Sequence, residues 1–358
     1  MKYILAIDSF KGCMSSIETE QAASEAFGET GDESISIPMS DGGDGMLEAF
    51  LSALHGSLQK ASVHDPLMRP IEAEYGIGED GTAIIETARA NGLTLMKEDE
   101  RNPLIATSYG VGELIACAIN KGCRKFIVGL GGSGTSDAGT GMLKALVDNF
   151  AKGKTIDNAK AGMLGECSFT LACDVRNPLC GPQGAARIYG PQKGASTEDM
   201  IKQLDDRAMR FAEYSARHYG YDRSQCQGAG AAGGLGYAFL QYMNATFTSG
   251  ADLLLDIIHF DNLLKDSSCV ITGEGSSDRQ TLMGKLPERI LQRARRQNVP
   301  VWLIAGHIEN REILVDAGFS RVACINSPET PLHEALKPDV ARQNIRATVR
   351  KLISQSAI

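Results

Sequence analysis

At 358 residues the chain is long for a single hydrophobic core, so two domains are expected. Its 36 lysines and arginines against 44 aspartates and glutamates give a net charge of -8, which argues against nucleic acid or an acidic membrane as partner and obliges any anionic ligand to find a local basic cluster. No apolar run approaches the roughly 18 to 20 residues of a membrane span, and nine cysteines without a C-x-x-C pair point to free thiols in a reducing cytoplasm.

The first residues are too few and too soon acidic for a signal peptide. They read as a strand, Ile4 to Ile7, running into Asp8-Ser9-Phe10-Lys11-Gly12. Ser15-x-x-Glu18 is a capping box opening a helix that Gly28 can stop. A second strand, Ile35 to Pro38, enters Ser40-Asp41-Gly42-Gly43-Asp44-Gly45, after which Met46, Leu47, Phe50, Leu51 and Leu54 recur at helical spacing. The middle differs. Val63 to Tyr75 carries Asp65-Pro66-Leu67-Met68-Arg69-Pro70, Ala83 to Glu86 and Phe169 to Val175 are short strand candidates, and Ser196 to Asp199 caps a long helix ended by Gly220. Alternation returns with strands at Cys269 to Thr272, Val299 to Ala305 and Val322 to Ile325, and with helices opened by Pro287 and Pro338. The expected fold is α/β: a Rossmann-like parallel-sheet domain from residues 1–63 and 261–358, interrupted by a second, inserted α/β domain over 64–260.

The densest signal is Gly129 to Met142, with six glycines and four hydroxyl residues between the strand Phe126 to Val128 and a helical pattern. Such a loop lets bare N–H groups close on an anion while the helix adds the positive end of its dipole, and phosphate is the default guest. The dinucleotide fingerprint fits Gly129-x-Gly131-x-x-Gly134 but also Gly228-x-Gly230-x-x-Gly233, which follows no strand. No acidic residue closes a second strand about 20 residues after the first match, so NAD binding has no support beyond the loop. Around Gly284-Lys285 a Walker A motif fails, because Arg279 stands where the first glycine belongs and Leu286 follows; a P-loop NTPase is excluded. The six histidines lack a ligand spacing such as H-x-x-x-H.

Phosphoryl transfer outside the P-loop class still needs amide donors, cations, carboxylates for magnesium and a base for the acceptor hydroxyl. Lys11 and Lys193 lie in glycine-flanked loops, whereas most surface lysines are merely solvated. Asp137, Asp174, Glu274 and Asp278 follow strands or sit beside glycine, suited to metal or base roles and equally to helix caps and turns.

Several of these segments together are similar to the bacterial glycerate kinases: Asp8-Ser9-Phe10-Lys11-Gly12, Asp41-Gly42-Gly43, Asp65-Pro66-Leu67 with Arg69-Pro70, Asn102-Pro103-Leu104, Gly131-Gly132-Ser133, Ala172-Cys173-Asp174-Val175, Tyr189 to Gly194, and Ile271-Thr272-Gly273-Glu274-Gly275 with Asp278 and Gly284-Lys285. The matches run in order from Lys2 to about Gly306. The chain departs from the family pattern at Ser136 and Ala138 around Asp137, at Met68 and at Ser276. The resemblance implies ATP- and magnesium-dependent phosphorylation of D-glycerate, with 2-phosphoglycerate as the favoured product, in a cleft between the two domains. Alternatives are a kinase forming 3-phosphoglycerate or using another small hydroxy acid, an NAD(P)-dependent oxidoreductase using the Gly129 loop, and a metabolite sensor. Oligomeric state is open, a homodimer included.

Physical inference then distributes roles. The phosphates go to the amides of Gly131, Gly132, Ser133, Gly134 and Thr135 with Lys193, and Glu274 and Lys285 join the nucleotide site. The glycerate carboxylate goes to Lys11 or Arg69, with Ser9, Gly42 and Gly43 around the substrate. Asp8 or Asp41 takes the hydroxyl proton, and Asp137, Asp174 and Asp278 are the metal candidates.

Overall fold

The computed structural model describes residues 1–28, 31–40, 42, 43 and 45–355. Asp41, a candidate base, lies outside the described residues. The strands in chain order are β1 (Lys2–Ile7), β2 (Glu33–Ser36), β3 (Ser57–His64), β4 (Pro70–Ile77), β5 (Thr82–Glu86), β6 (Lys125–Gly129), β7 (Ser168–Ala172), β8 (Thr246–Thr248), β9 (Cys269–Ser277), β10 (Val301–Ile308) and β11 (Arg321–Cys324). They form two sheets, in the orders β11-β10-β9-β1-β2 and β3-β4-β5-β6-β7-β8. The chain divides into two compact units, Met1–Asp41 with Ala251–Ile358, and Gly42–Gly250.

These borders differ from the expected ones at both ends. Residues 42–63 join the second unit because β3 pairs antiparallel with β4 along its whole length, from Ser57 opposite Ile77 to His64 opposite Pro70. Residues 251–260 join the first, where Arg293 holds Asp256 at 2.6 Å and Asp252 at 3.6 Å.

In the first unit every strand pair is parallel. Read in sequence order within this unit, the arrangement is the doubly wound one in which the chain goes from β1 to one neighbour, β2, and then returns to the other side of β1 with β9. The second unit is spliced in between those two strands. Side chains alternate across β1: Tyr3, Leu5 and Ile7 bury into one cluster with Ala22 and Ala23 of the helix Ser16–Ser24 and with Ile345 and Val349 of the helix Pro338–Ser354. The helix Leu286–Arg296, opened by Pro287, buries Ile290, Leu291 and Ala294 and packs on β9 and β10. The capping box forms as expected, Ser15 accepting from the Glu18 N–H and Glu18 accepting from the Ser15 N–H.

The second unit has antiparallel β3-β4 and β4-β5 pairs followed by parallel pairing from β5 to β8. Its core joins the helices Tyr109–Asn120, Thr140–Phe150 and Ala231–Tyr242 in one cluster, with Phe126 stacked on Phe169 at 4.8 Å and Phe239 at 5.4 Å from Phe169. The long helix Glu198–Tyr219 is capped by Thr197 and closed by Gly220 at φ +76°. Among the described residues no helix is long and apolar enough to cross a membrane.

Candidate active site

In open α/β sheets ligands bind beyond the carboxyl ends of the strands where the winding reverses. In the first unit that point lies between β1 and β9. A cavity of about 590 Å³ opens there, lined on the charged side by Asp8, Ser9, Lys11, Glu274 and Lys285. Three glycines allow this packing: a Cβ on Gly273 would meet the Ile304 carbonyl at 2.2 Å, one on Gly306 the Gly275 carbonyl at 2.7 Å, and one on Gly275 the Lys11 nitrogen at 3.4 Å. Asp8 is buried, its N–H donates to the Gly273 carbonyl, and its Oδ1 accepts from the Ser9 N–H at 2.7 Å. Behind the loop, Glu20 is fully buried in the first helix and accepts from the Ile7 N–H, while Ser16 donates to the Ile7 carbonyl and accepts from the Met39 N–H. Loss of water holds the Glu20 carboxyl well above the usual carboxylate range, against the opposing Ile7 and Ile37 N–H groups.

Glu274 is a hub. Its Oε1 accepts from Thr281 at 2.6 Å and Ser277 at 3.1 Å, and its Oε2 pairs with Lys285 at 3.1 Å. Asp278, expected as a metal ligand, accepts from the Gln280 N–H at 2.6 Å and caps the short turn Arg279–Leu282.

A second gathering lies in the second unit, at the carboxyl ends of β6 and β7. Gly42, at φ +97°, comes so close to the end of β7 that a Cβ would meet the Ala172 carbonyl at 2.8 Å, and a Cβ on Gly131 would meet the Gly43 Cα at 2.8 Å. Asp174, exposed, follows β7 by two residues. The Gly131 to Thr135 loop is less open than its sequence suggests. The Gly134 N–H is taken by the Asn91 carbonyl, Thr135 is fully buried, and no hydrogen-bond acceptor among the described residues meets the Gly131 and Gly132 amides. Lys193 is 3% exposed and donates to Ser133 Oγ at 2.9 Å and the Thr135 carbonyl at 2.7 Å. Burial pushes its ammonium down to about 7, opposed by the charge of Asp137.

Asp137 supplies the anion expected of a ligand at this helix. One oxygen accepts from the N–H groups of Ser108 and Gly141 and from the Ser108 hydroxyl, the other from the Gly139 N–H, all between 2.8 and 3.0 Å. The amino end of Thr140–Phe150 is therefore occupied by the protein's own carboxylate. Arg69 is similarly committed: Nε donates to Asp65 at 2.6 Å, Nη1 to Glu100 at 2.9 Å and Nη2 to the Leu95 carbonyl at 2.9 Å. Asp65 itself accepts from the Leu67 and Arg69 N–H groups, so the Asp-Pro-Leu-x-Arg segment is a locked turn of the β3-β4 hairpin.

Among the described residues no group of three or more His, Cys, Asp or Glu side chains converges in a way that suits a metal ion. Asp137 and Asp174 belong to the second unit and Asp278 to the first. The sequence reading missed the wall of the first-unit cavity formed by His307, Ile325, Asn326, Leu332, Ala335 and Leu336. These residues carry no glycine-plus-acid signature, and only their position after β10 and β11 marks them.

Known proteins carry the same pattern through the whole chain. A model of the glycerate kinase family matches residues 3–357. The chain is 37% identical over 362 residues to the glycerate kinase of Bacillus subtilis (strain 168), covering 94% of this chain and 93% of that one. It is 37% identical over 374 residues to the glycerate 2-kinase of Escherichia coli (strain K12), covering 98% of each. A crystal structure of a Salmonella typhimurium LT2 protein, provisionally described as glycerate kinase 2, superposes with a TM-score of 0.84 at 34% identity, covering 100% of this chain and 98% of that one.

Proposed function

The chain belongs to the glycerate kinase family, and on that premise we propose that it transfers the terminal phosphoryl group of ATP to D-glycerate and forms 2-phosphoglycerate. The observation that carries the reading is that a buried carboxylate, Asp8, and Lys11 line one cavity at the reversal point of a parallel sheet. Asp8 accepts the proton of the attacking hydroxyl, and Lys11 binds the carboxylate of the acid. Arg69 is held by Asp65, Glu100 and the Leu95 carbonyl in the turn between β3 and β4, whereas Lys11 lines the same cavity as Asp8, and that shared cavity favours Lys11 for the role.

Within the second unit, the amides of Gly131 and Gly132 are donors suited to a phosphate group, and Lys193 stiffens the loop beneath them through Ser133 and Thr135. Magnesium, when bound, neutralises charge shared by adjacent phosphates. Asp174, an exposed carboxylate just past the end of β7, would be the residue to hold such an ion, whereas Asp137 is buried and caps the helix Thr140–Phe150. Because Asp137 already fills the helix end behind the Gly129 loop, nothing favours the dinucleotide reading. Nine free cysteines suit a reducing, cytoplasmic setting.

The test is ADP release from ATP and magnesium in the presence of D-glycerate, L-glycerate or no acceptor. ADP release that depends on D-glycerate supports the reading. Release that ignores the acceptor, or no release with any, overturns it.

A further inference from the structure

The cavity of the first unit is far larger than a three-carbon acid requires. Its volume of about 590 Å³ falls within the roughly 300 to 1,000 Å³ range of drug-sized ligand sites. Its lining is also divided by chemistry. Asp8, Lys11, Glu274 and Lys285 supply charge, while Phe10, Ile325, Leu332, Ala335 and Leu336 supply an apolar wall. Glycerate is polar at every carbon and gains nothing from such a wall. Leu332 is 73% exposed and Leu336 40%, so both keep apolar surface that a ligand can cover.

A ligand that satisfies both halves is flat and apolar at one end and anionic at the other. Given the kinase reading on which this rests, we propose that the apolar wall of the first-unit cavity is the nucleoside subsite, which holds the purine base of ATP against Phe10, Ile325 and the Leu332–Leu336 segment. Lys285, held in place by Glu274 at 3.1 Å, is a cation in the same cavity for the phosphate chain. Asn326 offers a polar edge fixed on both sides: its Nδ2 donates to the Gly306 carbonyl at 2.8 Å, and its Oδ1 accepts from Asn344 at 3.0 Å. The location is also the one general to doubly wound sheets, where nucleotides lie across the reversal point. The wall comes from the segment after β11, so substrate discrimination at the base is encoded in a stretch with no chemical motif.

Two variants test this in the full chain. Ala335→Trp narrows the cavity, and Leu336→Asp places a charge on the wall; both positions are at the surface or half-buried, and thermal unfolding confirms that each variant is folded. Binding is read by calorimetry with adenosine and with ADP, and turnover by steady-state kinetics in ATP and in D-glycerate separately. Both variants should weaken adenosine and ADP binding and raise the ATP KM by roughly tenfold or more, with the glycerate KM within about twofold of wild type. Unchanged nucleotide binding, or a rise in the glycerate KM alone, overturns the subsite. The two readings fail separately: a protein that binds ADP at this wall but ignores D-glycerate keeps the subsite and loses the kinase reading, and normal turnover untouched by either variant does the reverse.

Discussion

Lys193 lies beneath the glycine-rich loop with its Nζ 2.9 Å from Ser133 Oγ, so a residue of the Tyr189 to Gly194 segment holds a loop that precedes it by some sixty positions. The lysine works from inside the protein, and this sets two expectations. Lys193→Met should fold and should lower turnover by about a hundredfold or more, because the loop amides lose their fixed aim at developing charge. A loss below about threefold would reduce Lys193 to a packing residue.

The same lysine makes apo-protein stability depend on pH in a defined direction. Its folded-state pKa, about 7, lies below the ordinary value of 10.5, so between those values the unfolded chain carries the extra proton. Stability from this group is full above 10.5, is lost as pH falls, and is gone below 7. Urea unfolding should therefore shift in favour of wild type over Lys193→Met by up to about 1.4 kcal/mol per pH unit as pH rises from about 7.5 to 9.5. A difference that is flat with pH would show that the buried amine stays charged.

Asp137 and Asp174 should separate cleanly. Replacing Asp137 with Ala strands buried donors of Ser108, Gly139 and Gly141, at a cost of about 3 kcal/mol or more in unfolding free energy. Asp174→Asn, at an exposed position, should cost less stability than Asp137→Ala and raise the magnesium concentration for half-maximal rate by about tenfold. The opposite pattern would return the metal role to Asp137.

Lys11→Ala should raise the glycerate KM by more than about tenfold, while Arg69→Ala should change it by less than about threefold and act on stability of the β3-β4 turn instead. Asp8→Asn should lower kcat by about a hundredfold or more, with a smaller effect on either KM. Steady-state kinetics in both substrates, with unfolding curves for each variant, checks all three.

Much of this was readable from residue order. Parallel strands present their carboxyl ends to ligands, so Asp8 after β1 and Gly273-Glu274 in β9 could be assigned to one cavity before any coordinates. Ser15, Thr197, Pro287 and Pro338 set helix starts by local hydrogen bonding and backbone restriction, which sequence shows directly. Long-range pairing was opaque. The first half of β3 is largely exposed, so Ser57 to Lys60 gave no apolar run, and the domain border fell too late. The commitments of Asp137 to Ser108 and of Arg69 to Glu100 and Leu95 connect segments whose proximity no spacing reveals. Both residues looked available because part of their bonding is to segments distant in the chain.

The central claim is tested most directly by the position of the transferred phosphate. Purified protein is supplied with D-glycerate, ATP and magnesium, then with enolase, pyruvate kinase and lactate dehydrogenase but no phosphoglycerate mutase, and NADH oxidation is followed. Immediate oxidation that depends on D-glycerate is the expected result, because enolase accepts 2-phosphoglycerate directly. Oxidation only after the mutase is added would establish 3-phosphoglycerate as the product and contradict the account.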